Sequence, residues 1–213
     1  MLSRPATSSG VSDVQARELD IPGAWEITPQ LHPDSRGLFF EWLTDQSFIG
    51  FAGHRLDVRQ ANCSVSAAGV LRGLHFAHLP PSQAKYVTCL SGSVFDVVVD
   101  IRVGSPTFGR WDAVVLDDRS HRSVYLSEGL AHGFLALQDN SMVMYLCSAE
   151  YNPQREYTIA PTDPALAIDW PTEHELVISD RDAAAPTLDE VRAAGLLPTW
   201  EEAQAFIHGL SDT

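Results

Sequence analysis

Between residues 19 and 178 the chain is a succession of short apolar-rich segments broken by turn residues at roughly ten-residue spacing. That rhythm leaves no room for long helices and predicts layered β structure, a sandwich or jelly roll. The segments are 24–28, 37–42 (after the turn Asp34-Ser35-Arg36-Gly37), 58–65, 70–76, 85–90, 93–102, 110–116, 123–126, 133–137 and 142–149. In the segment 93–102, Phe95, Val97, Val99 and Ile101 share one face, and Val94, Asp96, Val98 and Asp100 the other. One face is wholly apolar and the other half apolar, so this strand belongs inside the layers. A hairpin is expected between 85–90 and 93–102 across Ser91-Gly92.

Helical signals are read only near the C-terminus. Thr187 with Glu190, and Thr199 with Glu202, have capping-box spacing, and Val191, Leu196, Trp200 and Phe206 supply apolar contacts. Residues 1–16, rich in Ser, Thr, Ala and Gly, are expected to form a mobile tail. Residues 17–213 then form one domain, with a helical segment over 187–210.

Charge narrows the function. The chain carries 28 acidic and 14 basic side chains, a net charge of −14. Phosphate neutralisation needs a basic face, so nucleic-acid binding is excluded, and so is attraction to anionic membranes. No apolar run approaches the roughly 20 residues of a membrane-spanning helix. The polar start carries no secretory h-region, and Cys63, Cys89 and Cys147 form no CxxC pair. The expectation is a reduced, cytoplasmic protein.

Of the basic residues, only Lys85 is Lys. A chain this rich in Arg has reason to keep a Lys where a compact ammonium with a tunable pKa is needed. Lys85 follows the segment Gly69-Val-Leu-Arg72-Gly73-Leu-His75-Phe-Ala-His78 at a distance a chain reversal could close. Simple alternation puts His75 with Gly73 and Arg72 with Leu74, unless Gly73 marks a bulge. His132 stands between Gly129 and Gly133. A metal held by His75, His78 and His132 is one reading. It suffers from HxxH rather than HxH spacing, and from the lack of any Asp or Glu between Asp57 and Asp96. No metal or other cofactor is therefore assigned. Proton chemistry suits the inventory better: a histidine base oriented by Asp180 or Asp182, with Tyr145 or Tyr151 as acid.

DSRGLFFEW, RQANCSVS, GVLRGLHF, QAKYV, GSVFDVVVDIRVGSPTFGRW, SEGLAHGF and DPALAIDWP occur in order. This set resembles the dTDP-4-dehydrorhamnose 3,5-epimerase family over residues 16–196. The resemblance implies a metal-independent, cupin-type jelly-roll β-sandwich with short C-terminal helices, working as a homodimer. It implies a dTDP-4-keto-6-deoxy sugar substrate inverted at C3 and C5, on the route to dTDP-L-rhamnose and cell-envelope polysaccharide. By motif, His75 is the implied base, Asp182 its paired carboxylate, Tyr145 the acid and Lys85 the cation beside the substrate. Substrate contacts are implied for Arg36, Glu41, Gln60, Ala61, Asn62, Arg72, Lys85, His132, Glu156 and Arg181. Many relatives have Lys at the position of Arg181. Relatives that invert only C3 or only C5, and a sugar-nucleotide sensor without catalysis, are the neighbouring alternatives.

Overall fold

The strand Ser93–Asp100 buries side chains on both of its faces, so it lies between two layers. The computed structural model describes residues 14–211 apart from residue 172. Its elements in chain order begin with β1 (Gln15–Glu18), β2 (Ala24–Thr28), β3 (His32–Asp34), β4 (Gly37–Phe39), α1 (Asp45–Ala52), β5 (Gln60–Ser66) and β6 (Val70–Ala77). They continue with β7 (Lys85–Ser91), β8 (Ser93–Asp100), β9 (Trp111–Asp117), β10 (Ser123–Leu126), β11 (Leu130–Ala136), β12 (Ser141–Cys147) and β13 (Glu156–Thr158). Last come β14 (Val177–Ile178), α2 (Asp180–Ala183), α3 (Leu188–Ala193) and α4 (Trp200–Ser211).

Two mainly antiparallel sheets face each other as a jelly-roll sandwich. The first runs β1-β2-β10-β7-β12-β5 and the second β13-β6-β11-β8-β9, with β14 parallel to β6. Between them, Val87, Cys89, Val124 and Val143 of the first sheet meet Val94, Val98, Leu116 and Phe134 of the second. The outer face of the second sheet, with Leu71, Leu74, Val97, Val99 and Ile101, is covered by Ile159, Leu166, Trp170, Leu188 and Val191. Thus the two faces read from residues 93–102 fill two separate cores.

Three expectations need correction. The segments 85–90 and 93–102 do not pair as a hairpin: β7 and β8 belong to opposite sheets. The chain crosses between layers at Gly92, which has φ +76 and packs so near Ser141 that a Cβ there would lie 2.7 Å from its Oγ. Crossing lets Val87 and Cys89 face Val94 and Val98 across the sandwich instead of lying beside them. A helix, α1, also stands far from the C-terminus. Thr44 caps it by accepting the Ser47 N–H at 3.2 Å. Its buried Phe48 packs on Ile27, Ala84, Tyr86 and Tyr125, sealing the outside of the first sheet. Finally, the segment 37–42 pairs only as far as Phe39, in an exposed hairpin of β3 and β4. Beyond it Trp42 turns inward and donates to Ser123 Oγ at 3.0 Å.

At the N-terminus β1 starts at Gln15, inside the segment read as a tail; residues 1–13 lie outside the described residues. At the other end both capping boxes form. Thr187 and Glu190 close the start of α3, and Thr199 and Glu202 exchange the same pair of bonds at the start of α4. Arg102, fully buried on Asp100, lies 4.6 Å from the Trp200 ring and ties α4 to the sandwich.

Candidate active site

At one end of the sandwich the facing residues change from apolar to polar. Lys85 continues the inward row of Val87 and Cys89, and Tyr145 the row of Val143. Gln60 and Asn62 project from β5 beside them, with Asn62 directly opposite Tyr145. From the second sheet come His75 on β6 and Glu156 on β13; Arg181 comes from α2. With Gln83 and Tyr151 these side chains line a cavity of about 160 Å³.

A bulge aims His75. Arg72 pairs with Phe134 and His75 with His132, so Gly73 and Leu74 together oppose Gly133. Leu71, Leu74 and Phe76 therefore all face the outer core, whereas Arg72 and His75 leave the strand on the opposite side. Only glycine serves at the first bulge position. Gly73 has φ +113, and a Cβ there would stand 2.6 Å from the His132 carbonyl oxygen.

His75 Nε2 lies 2.9 Å from Asp182 Oδ1, leaving Nδ1 free. The His75 side chain is 35% exposed and that of Asp182 only 7%. Between the two candidate carboxylates, Asp180 and Asp182, the cap of α2 decides. Ser179 Oγ accepts the Asp182 N–H at 3.1 Å, and Gly73 N–H reaches Asp182 Oδ2 at 3.4 Å. Burial pushes the Asp182 carboxyl up. The His75 hydrogen bond and charge, with the Gly73 and Ser179 contacts, outweigh it and hold the carboxyl below its ordinary value.

The opposite wall holds groups shifted by burial. Lys85 is 8% exposed, and desolvation lowers its ammonium pKa against the pull of Cys147, Glu156 and Asp96. Tyr145 is raised by burial and by Cys147, with Arg72 pulling the other way. Lys85 Nζ stands 6.0 Å from the Tyr145 ring centroid. Glu156 is raised by burial, opposed by Lys85, His75 and Arg181. An imidazole braced by a carboxylate on one wall, with a phenol and a desolvated amine on the other, can remove a proton and return one from the far side.

The remaining predicted positions divide. Arg72 donates to Ser66 Oγ at 3.1 Å. His132, the cross-strand partner of His75, is buried with Nε2 2.8 Å from Asp96 Oδ2. Ala61 alternates out of the cavity between Gln60 and Asn62, so its side chain faces away. Arg36 and Glu41 do not line the cavity of their own chain. Arg36 is at the tip of the β3–β4 hairpin, 88% exposed and bonded to Asp34. Sequence reasoning missed Gln83, Ser66 and Asp96. Asp96 had a findable signal, an acidic residue at an inward position of an apolar strand; Ser66 had none, because the inward row of its strand is polar throughout. Gln83 had none, since it follows an irregular loop. Among the described residues no group of three or more His, Cys, Asp or Glu is arranged to hold a metal ion.

Fold and site together define a β-sandwich enzyme with an acid–base cavity between its sheets. A family model described as dTDP-4-dehydrorhamnose 3,5-epimerase matches residues 18–190. A dTDP-4-dehydrorhamnose 3,5-epimerase of Mycobacterium tuberculosis is 74% identical over 202 residues, 94% of this chain and 100% of the relative. A dTDP-4-dehydrorhamnose 3-epimerase of Streptomyces niveus is 53% identical, over 90% of this chain and 92% of the relative. A solved M. tuberculosis epimerase superposes with a TM-score of 0.91 at 75% identity, over 92% of this chain and 99% of that one. The chain belongs to the dTDP-4-dehydrorhamnose 3,5-epimerase family.

Proposed function

We propose that this protein inverts C3 and C5 of dTDP-4-dehydro-6-deoxy-α-D-glucose, giving dTDP-4-dehydro-β-L-rhamnose for dTDP-L-rhamnose synthesis. The observation that carries this reading is the His75–Asp182 pair facing Tyr145 and Lys85 across one cavity. The C4 ketone acidifies the hydrogens at C3 and C5, because each carbanion is an enolate. His75 removes the proton, Asp182 holds the ring and balances the imidazolium, and Lys85 stabilises charge on O4. Tyr145, on the opposing sheet, returns a proton to the other face at C5. No metal enters these steps.

Gln60, Asn62, Arg72, His132, Glu156 and Arg181 are assigned to hold the substrate, Ala61 through its backbone. Arg72, Lys85 and Arg181 gather positive charge against a net charge of −14, which suits a pyrophosphate. The exposed hairpin bearing Arg36 and Phe39, followed by Glu41, supports a homodimer in which it reaches the cavity of a second copy. Three free cysteines suit the cytoplasm, where a supply of rhamnose for envelope polysaccharide would be made.

The resemblance to a 3-epimerase keeps a single-centre reading as the alternative. Incubation with substrate in D₂O separates the two: label at C3 and C5 supports the 3,5-epimerase, and label at one carbon assigns the narrower activity. No label from folded protein overturns both.

A further inference from the structure

Inverting two centres with one imidazole poses a problem that inverting one does not. After the first abstraction His75 holds the substrate's proton, and it must lose that proton before it can act again. Its Nε2 is occupied by Asp182, so the proton resides on Nδ1, toward the cavity. The cavity there has about 160 Å³, and a sugar ring seated in it would stand between Nδ1 and solvent.

A second cavity, of about 220 Å³, adjoins the first. Gln83 and Glu156 line both, so they form the wall between them; His78, Asn152 and Arg155 are on the far side. Glu156 is also well placed toward His75. It pairs with Ala77, two residues along β6 from His75, so both side chains leave the sheet on the same face. Such diagonal neighbours are roughly 7–8 Å apart, a span that one water bridges. The influence of His75 on the Glu156 carboxyl reflects the same closeness, and burial raises that carboxyl above its ordinary value.

We propose that Glu156 is a proton-relay residue that resets His75 between the two inversions, discharging into the second cavity. This rests on the epimerase reading above. The His75 imidazolium gives its Nδ1 proton to the Glu156 carboxylate, directly or through one water, leaving neutral imidazole and a carboxylic acid. The acid passes the proton to water in the second cavity and returns to carboxylate. The Tyr145 phenolate left by the first inversion regains a proton from water, so base and acid both recover their starting states.

The test is the ratio of doubly to singly labelled product formed in D₂O, measured by mass spectrometry. Wild type is compared with Glu156→Gln, which keeps shape and polarity but cannot relay, and Ala149→Leu, which fills the second cavity without touching the substrate. Both variants should lower the ratio at least tenfold, with dTDP affinity within threefold of wild type for Ala149→Leu. A wild-type ratio in either variant overturns the relay. Absence of label in wild type instead overturns the epimerase reading itself, so the two failures are distinguishable.

Discussion

Two histidine–carboxylate pairs lie side by side in this fold. His75 and His132 are direct cross-strand partners, and each puts Nε2 on an aspartate, at 2.9 Å for Asp182 and 2.8 Å for Asp96. The pairs differ in access. His75 is 35% exposed and lines the cavity, whereas His132 is 7% exposed on an Asp96 that is completely buried. They differ in origin as well. Asp96 sits within the same sheet, while Asp182 arrives on α2, which docks against β6. The open pair has a free nitrogen on the cavity side and suits a base. The nearly closed pair leaves His132 only a thin edge for the substrate contact proposed for it, and its Asp96 Oδ1 has no hydrogen-bond partner among the described residues, so that carboxylate depends on His132. One pairing chemistry thus serves two ends, and solvent access selects which.

The largest effect should come from removing the open imidazole. His75→Ala is expected to reduce kcat by about 10³-fold, within the range for losing a general base, with dTDP Kd within threefold. Isothermal titration beside a turnover assay tests this, and a large loss of dTDP affinity would count against His75 as base. Next, Lys85→Arg should lower kcat about 10²-fold, because a broad guanidinium cannot take the place of a desolvated ammonium beside O4. Near-normal turnover there would reduce Lys85 to a phosphate contact.

The aspartates sharpen the contrast. Asp182→Asn should cost about 10²-fold in kcat and lower the urea midpoint by less than a change at Asp96 does, since the amide cannot balance an imidazolium. Asp96→Ala should instead lower stability by about 2 kcal/mol, seen as a lower urea midpoint, because it leaves a buried ring nitrogen unpaired. Equal effects of the two on stability would erase the distinction. The smallest effect concerns pH. The Asp182 carboxyl is held below its ordinary value, so its stabilisation is complete above the unfolded carboxylate range near ~3.9 and fades as pH falls through the folded value. The stability difference between wild type and Asp182→Asn should therefore shrink below about pH 4 in chemical denaturation. A difference that grows on acidification would contradict that sign.

Much of the fold was legible because the rules involved act over a few residues. Alternation in 93–102 set two buried faces, and Thr–Glu spacing set two helix starts. The short α1 escaped notice because its cap, Thr44 with Ser47, lacks the Glu that marks the other two. For the site, the ordered motifs named His75, Lys85, Tyr145 and Asp182, but residue spacing alone left Asp180 and Asp182 equivalent.

By itself, the sequence determined the β layering, the helix caps and the residue types available for proton chemistry, all properties of alternation, local hydrogen bonding and side-chain pKa. Tertiary structure decided which of them meet. It opened the bulge at Gly73 that turns His75 to the side of Arg72, because the close approach of β11 leaves no room for a Cβ. It brought Asp182 across 107 residues to His75, sent β7 and β8 to opposite sheets, and left Arg36 pointing out of its own chain's cavity. Such choices rest on packing between segments distant in the chain, where burial on both sides of a strand outweighs any preference of its neighbours.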